Sequence, residues 1–90
     1  MRVKFFAYLR DYTGCTETEV PAADTMGELA CILGERFGSK LRDKILTAEG
    51  ELGPETIIMI NGRHVAHLGG LNAPLKSEDT VQIFPLVAGG

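Results

Sequence analysis

Thr25-Met26-Gly27-Glu28-Leu29-Ala30-Cys31-Ile32-Leu33-Gly34-Glu35-Arg36-Phe37 is the stretch that decides how the remaining residues must fold. It opens on a Thr-x-x-Glu capping box, in which the Thr25 hydroxyl accepts a first-turn N–H and Glu28 reaches back over the cap. Met26, Leu29, Ala30, Leu33 and Phe37 then recur at the spacing of one helical face. Gly27 and Gly34 each cost about 1 kcal/mol relative to Ala, whereas each large side chain buried on the stripe returns about 1.5–3 kcal/mol. Burial wins, and the segment reads as an amphipathic helix that needs an apolar surface to cover.

The flanking segments supply that surface. Upstream, Val3, Phe5, Ala7 and Leu9 alternate with Lys4, Phe6, Tyr8 and Arg10, which predicts a first strand over residues 3 to 9. Asp11-Tyr12-Thr13-Gly14 has turn chemistry, the β-branched stretch Thr16 to Val20 returns as a hairpin partner, and Pro21 ends it. Downstream, the helix is expected to stop near Gly38, with Ser39 capping a short second helix through Leu46 that turns Leu41 and Ile45 inward. Glu49 to Pro54 reads as loop and Thr56 to Ile60 as a strand. Asn61-Gly62 is a type I′ hairpin signal that brings Arg63 to Val65 back alongside it. After turns at Gly69-Gly70, Asn72-Ala73-Pro74 and Lys76-Ser77-Glu78-Asp79, a last strand runs from Thr80 to Leu86.

Hairpin, helix, hairpin and final strand give an α+β fold, ββαββ with a short extra helix. The economical packing is one mixed sheet with the main helix across one face and the last strand beside the first. That is the ubiquitin-like β-grasp arrangement. Residues 1–86 form the domain and residues 87–90 a flexible Gly-Gly tail. With Val3, Phe5, Val81 and Ile83 facing the helix, Phe6, Tyr8 and Phe84 are expected together on the open face, and an exposed apolar patch of this kind commonly marks a binding surface.

Composition narrows the function. Ninety residues make one domain, and 44% hydrophobic with 23% charged residues is ordinary for a globular chain. The net charge of −3, with scattered Lys and Arg, argues against a nucleic-acid partner. Neither a signal-peptide pattern nor an apolar run of spanning length is present, so no membrane partner and a cytoplasmic location are expected. Cys15 and Cys31 do not form a Cys-x-x-Cys motif and read as structural thiols. His64 and His67 bracket the end of a hairpin strand, where an odd spacing sends side chains to opposite faces, so no metal site is expected there. No Ser-His-Asp set or phosphate-cradling loop stands out.

The chemistry therefore falls to Phe84-Pro85-Leu86-Val87-Ala88-Gly89-Gly90. Pro85 has no N–H, so the strand leaves its sheet or sits at its rim there. Gly89 and Gly90 lack Cβ atoms and can enter a channel too narrow for side chains. The expected reactive group is the Gly90 carboxylate, with Val87, Ala88 and Gly89 as the inserted segment. A bare carboxylate is a poor electrophile and requires activation by another enzyme.

Phe5-Phe6-Ala7 with Arg10 and Gly14, Ile60-Asn61-Gly62-Arg63, Leu75 with Glu78-Asp79, and Val81 to Gly90 together resemble, over essentially the full length, the small sulfur-carrier subunit of molybdopterin synthase. That subunit is a ubiquitin-like protein related to the thiamine-pathway sulfur carrier and to small archaeal modifier proteins. The family ending is commonly Phe-Pro-Pro-Val-x-Gly-Gly; Leu86 stands at the second proline, a departure expected to loosen the approach to the tail slightly. The resemblance implies that an E1-like adenylating enzyme uses ATP and a sulfur donor to turn the Gly90 carboxylate into a thiocarboxylate. The large synthase subunit then directs that sulfur onto a pterin for a molybdenum or tungsten cofactor. No cofactor is bound by the chain itself. Phe6, Tyr8, Arg10, Phe84 and Pro85 are the implied partner interface. The same activation chemistry also fits a protein modifier that forms isopeptide bonds through Gly90, or a carrier for thiamine or tRNA thiolation, and an inert-tailed interaction module fits the fold.

Overall fold

The helix announced by the capping box is α2 (Met26–Phe37) in a computed structural model that describes residues 1–86. Thr25 is extended at the cap and its Oγ1 accepts the Glu28 N–H at 3.2 Å. Glu28 Oε2 reaches one residue further back than the box requires and accepts the Asp24 N–H at 3.1 Å. Met26, Leu29, Ala30 and Leu33 are buried, and Phe37 meets Phe5 edge to face with ring centroids 5.5 Å apart. The two helix glycines mark close approaches. A Cβ on Gly27 would stand 3.2 Å from the Leu71 carbonyl oxygen, and one on Gly34 would stand 3.3 Å from the Arg42 side chain.

The second helix, α3 (Ser39–Ile45), buries Leu41 and Ile45 as expected. Its cap differs: Gly38, at φ 97°, ends α2 and starts α3, and Ser39 is the first helical residue with no side-chain cap. Only glycine takes that backbone angle without strain.

Five strands form one sheet: β1 (Arg2–Phe5), β2 (Glu17–Glu19), β3 (Thr56–Ile60), β4 (Arg63–His64) and β5 (Thr80–Pro85), in the spatial order β2-β1-β5-β3-β4. β5 lies parallel to β1 and antiparallel to β3, so the last strand sits beside the first and fills the middle of the sheet. With α2 across one face, this is the β-grasp topology. The core is that contact: Val3, Phe5, Val81, Ile83, Ile58 and Ile60 from the sheet against Met26, Leu29 and Leu33 from α2. The expected tail at residues 87–90 lies outside the described residues.

Two sequence expectations are corrected. The first strand ends at Phe5 rather than Leu9: Ala7 adopts φ 52° and stands exposed, and residues 9 to 13 form a short helix, α1 (Leu9–Thr13), closed by Gly14 at φ 73°. Leu9 is fully buried all the same, because one helical turn after the bend returns it to the core. Beyond Asn61 and Gly62, whose φ values of 53° and 83° fit the type I′ turn, only Arg63 and His64 pair back, and Val65–His67 is a 3₁₀ turn. That turn brings the His64 and His67 rings to 5.9 Å instead of onto opposite faces. His64 Nδ1 accepts the Ala66 N–H at 3.1 Å, which caps the turn.

The hairpin turn and the acidic turn are locked together. Asp79 is nearly buried; its carboxylate accepts the Asn61 side-chain N–H at 2.9 Å and the Lys76 backbone N–H at 2.8 Å. Asn61 Oδ1 in turn accepts the Thr80 N–H at 3.0 Å. These donors, Asn61 first, hold the Asp79 carboxyl below its ordinary value against the opposing effect of burial. A depressed folded-state pKa means stability that is full above the unfolded value and is lost as pH falls through the folded one. We expect acid unfolding of the native chain to steepen below about pH 4, and Asp79→Asn to flatten that segment of a stability-versus-pH curve measured by urea denaturation. Ala7→Gly should raise stability by about 0.5–1 kcal/mol, since it relieves a left-handed non-glycine residue. If residue 7 were extended, the same change would lower stability.

Candidate functional site at the end of β5

β5 alternates Val81 and Ile83, both fully buried, with Gln82 and Phe84 on the open face. Its parallel register with β1 pairs Phe5 with Ile83, which sets Phe6 next to Phe84 on the side away from α2. Their rings stack with centroids 4.2 Å apart and planes 13° from parallel. Arg10 joins them from α1: its Nε donates to the Phe5 carbonyl at 3.2 Å and its guanidinium carbon lies 6.0 Å from the Phe6 centroid. A stacked aromatic pair contributes about 0.5–1.5 kcal/mol and an exposed cation–π contact about 0.5–1 kcal/mol. Phe6, Phe84 and Arg10 are thus brought together, as the sequence led us to expect.

Tyr8 is not part of that group. The bend at Ala7 breaks the alternation that would have aligned it with Phe6. Its ring meets Tyr12 at 5.8 Å, and the Lys44 ammonium lies 5.7 Å from its centroid. The structure instead adds two residues that the sequence reading left out. Ile57 pairs with Phe84 and Met59 with Gln82 across β3 and β5, so both share the open face, and both are half-buried. The apolar run Ile57 to Ile60, with Ile58 and Ile60 inward, was the available signal, because a strand apolar on both faces has something to cover on each.

Pro85 is the last residue of β5, opposite Thr56. On the β1 side the Phe6 N–H donates to the Ile83 carbonyl at 3.2 Å, and the next rung would need an N–H at residue 85. Proline has none, and the Phe6 carbonyl accepts the Leu9 N–H instead, at 3.2 Å. β1 therefore peels away from β5 where Pro85 sits. On the β3 side the ladder continues one residue further, because the Leu86 N–H donates to the Glu55 carbonyl at 2.8 Å. Against the loosening expected at Leu86 stands this rung, which a proline there could not close. Glu55 also takes the Lys44 ammonium at 3.4 Å. Partial desolvation pulls the Lys44 pKa down, but the Glu55 carboxylate, helped by Tyr8 and Tyr12, outweighs it and leaves the pKa above its ordinary value. Val87, Ala88, Gly89 and Gly90, the expected inserted segment and reactive end, lie outside the described residues.

Elsewhere, Cys31 is exposed on α2 rather than packed in the core, and Cys15 is half-buried. Among the described residues, no group of three or more His, Cys, Asp or Glu side chains is placed to hold a metal ion, and no helix is long and apolar enough to cross a membrane.

A five-stranded mixed sheet grasping one main helix, with β5 in its middle, defines a ubiquitin-like β-grasp protein, and its matches to known proteins place it in the sulfur-carrier superfamily. The chain belongs to the ThiS family, whose profile matches residues 3–90. It is 42% identical over 66 residues to a protein of Archaeoglobus fulgidus assigned as a sulfur carrier, covering 73% of this chain and 74% of that one. It is 32% identical over 92 aligned positions to small archaeal modifier protein 3 of Haloferax volcanii, covering 100% of this chain and 98% of the relative. Among solved structures, CysO of Amycolatopsis orientalis, determined in a complex with BexX, superposes with a TM-score of 0.84 at 30% identity, covering 99% of this chain and 98% of that one.

The stack and the core should separate by stability. We expect Phe84→Ala to lower it by about 1–2 kcal/mol, the pair energy plus part of the burial of a half-buried ring, and Ile83→Ala to lower it by about 2–5 kcal/mol in the same urea titration.

Proposed function

We propose that this chain carries sulfur on the carboxylate of Gly90 and delivers it to a pterin in the large subunit of a molybdopterin synthase. What supports the reading most directly is the end of β5. The Phe6–Phe84 stack and Arg10 form a docking face beside a strand whose next residues are Val87, Ala88, Gly89 and Gly90, in a chain of the ThiS family.

The chemistry runs in balanced steps. A Gly90 carboxylate oxygen attacks the α-phosphorus of ATP on an adenylating enzyme, releasing pyrophosphate and leaving an acyl-adenylate. Hydrosulfide, or its equivalent from a sulfur donor, attacks the acyl carbon; the C–O bond to AMP breaks and a thiocarboxylate remains. In the synthase the thiocarboxylate sulfur attacks a side-chain carbon of the pterin precursor, the C–O bond at that carbon breaks with its oxygen leaving as phosphate or water, and hydrolysis of the resulting thioester frees the pterin thiolate and regenerates the Gly90 carboxylate. The chain's own part is positional. The β-grasp body docks through Phe6, Arg10 and Phe84, and two residues without Cβ atoms pass into the partner's channel. Pro85 assists by ending the β1 rungs where the strand closes.

A second reading has its own support. The Haloferax relative matched over the full chain is a modifier protein, and the same acyl-adenylate attacked by a lysine amine gives an isopeptide bond.

Intact-mass analysis of protein isolated from its host tests both. Exchange of one oxygen for sulfur at Gly90 is the expected result; diglycyl-lysine branches on other proteins would support the modifier, and neither product would overturn both. Gly90→Ala, or one residue added beyond Gly90, should abolish sulfur transfer in a reconstituted synthase assay while leaving the urea midpoint unchanged.

A further inference from the structure

Leu86 combines two properties. It is the only large apolar side chain among the described residues that is exposed, at 53% of its full accessibility. Its backbone is nevertheless fixed, since its N–H closes the last β3–β5 rung on the Glu55 carbonyl at 2.8 Å. Glu55 is itself tied to α3 through Lys44. Strand alternation from Phe84 puts residue 86 on the same open face, so the apolar strip Phe6, Phe84, Ile57 extends to Leu86 at the point where residues 87–90 begin. An exposed apolar side chain on a hydrogen-bonded backbone, at the rim of an apolar strip, adds buried apolar area for a partner that covers the strip.

We propose that Leu86 is a specificity-determining residue of tail capture: pinned by the Glu55 carbonyl, it inserts into an apolar socket at the mouth of the channel on the adenylating enzyme that receives the tail. This rests on the sulfur-carrier reading in requiring such an enzyme, but not on which nucleophile later meets the acyl-adenylate. The anchor sets where the body stops and the inserted segment starts, so it acts on recognition and not on the acyl chemistry. Leu86→Ala keeps the N–H and the rung while removing the socket contact. Leu86→Met keeps both.

The experiment is ATP–pyrophosphate exchange by the host's adenylating enzyme, with the carrier as varied substrate. Calorimetric binding of the unactivated carrier to the same enzyme and amide exchange at residue 86 accompany it. Removing the buried part of a leucine is expected to raise KM and Kd about tenfold for Leu86→Ala with kcat unchanged, and Leu86→Met is expected to stay within about twofold of the native protein. Amide protection at residue 86 should be the same in all three. KM and Kd of Leu86→Ala within about twofold of native would overturn the proposal, as would a fall in kcat alone or equal losses in the Ala and Met variants. Loss of amide protection in the Ala variant with the same KM rise would also overturn it, by assigning the effect to the rung. A native protein that binds the enzyme but supports no exchange would sink the carrier reading while the Kd ratio still judged the socket; one that does not bind would overturn both.

Discussion

The structure depends on β5 being the central strand. It takes rungs from β1 on one side and from β3 on the other, and it sends Val81 and Ile83 into the core against α2. A strand in that position has no free edge, so it cannot slide or fray without breaking two ladders at once. Its register also fixes everything at its far end. Because Phe5 pairs with Ile83, Phe6 must lie beside Phe84; because Ile57 pairs with Phe84, the β3 side of the strip follows. The position of the candidate site is thus a consequence of core packing two residues earlier, and its aromatic stack is a minor contributor to stability by comparison.

Fixing the other end of β5 requires a different device. The strand begins in the turn at Lys76 to Asp79, which β1 holds at the Asp79 carbonyl, acceptor of the Arg2 N–H at 3.2 Å, while the rest of the turn needs other partners. Asp79 takes over that task by accepting from Lys76 within its own turn and from Asn61 in the β3–β4 turn. Asn61 is suited to both of its roles by one property. It tolerates the left-handed backbone of the type I′ turn, and its amide can donate to Asp79 while accepting from Thr80. The resemblance noted in the sequence at Asn61-Gly62 and Glu78-Asp79 therefore has a single physical cause: the two short motifs are partners.

How far such features can be read in advance depends on whether their cause is local. The α2 helix was legible because its cap, stripe and stop lie within about four turns of one another. The Asn61-Gly62 turn was legible because the two residues themselves carry the required backbone angles. β1 was misjudged at its end because Leu9 satisfies both a period of two and the helical return after a bend, and nothing in the local pattern marks Ala7 as left-handed. That single residue moved Tyr8 out of the predicted site and onto Tyr12 and Lys44. Ile57 and Met59 were missed for the complementary reason. Their membership of the open face follows from a register set between residues about 25 positions apart, which no window along the chain contains.

The same distinction explains why residue 86 matters more than its place in a motif suggests. Judged by composition, exchanging a proline for leucine beside the tail adds freedom to the unfolded chain and loosens the approach. In the folded chain the added N–H meets the Glu55 carbonyl, which the β3 register has already brought opposite it, and the gain of one ladder bond is of the same order as the added chain entropy, about 1 kcal/mol. Two terms of similar size and opposite sign leave stability little changed but carry the β3 hydrogen bonding from residue 85 to residue 86. What the substitution alters is geometric: the Leu86 backbone bonds to the Glu55 carbonyl, and its side chain stands exposed just beyond Pro85.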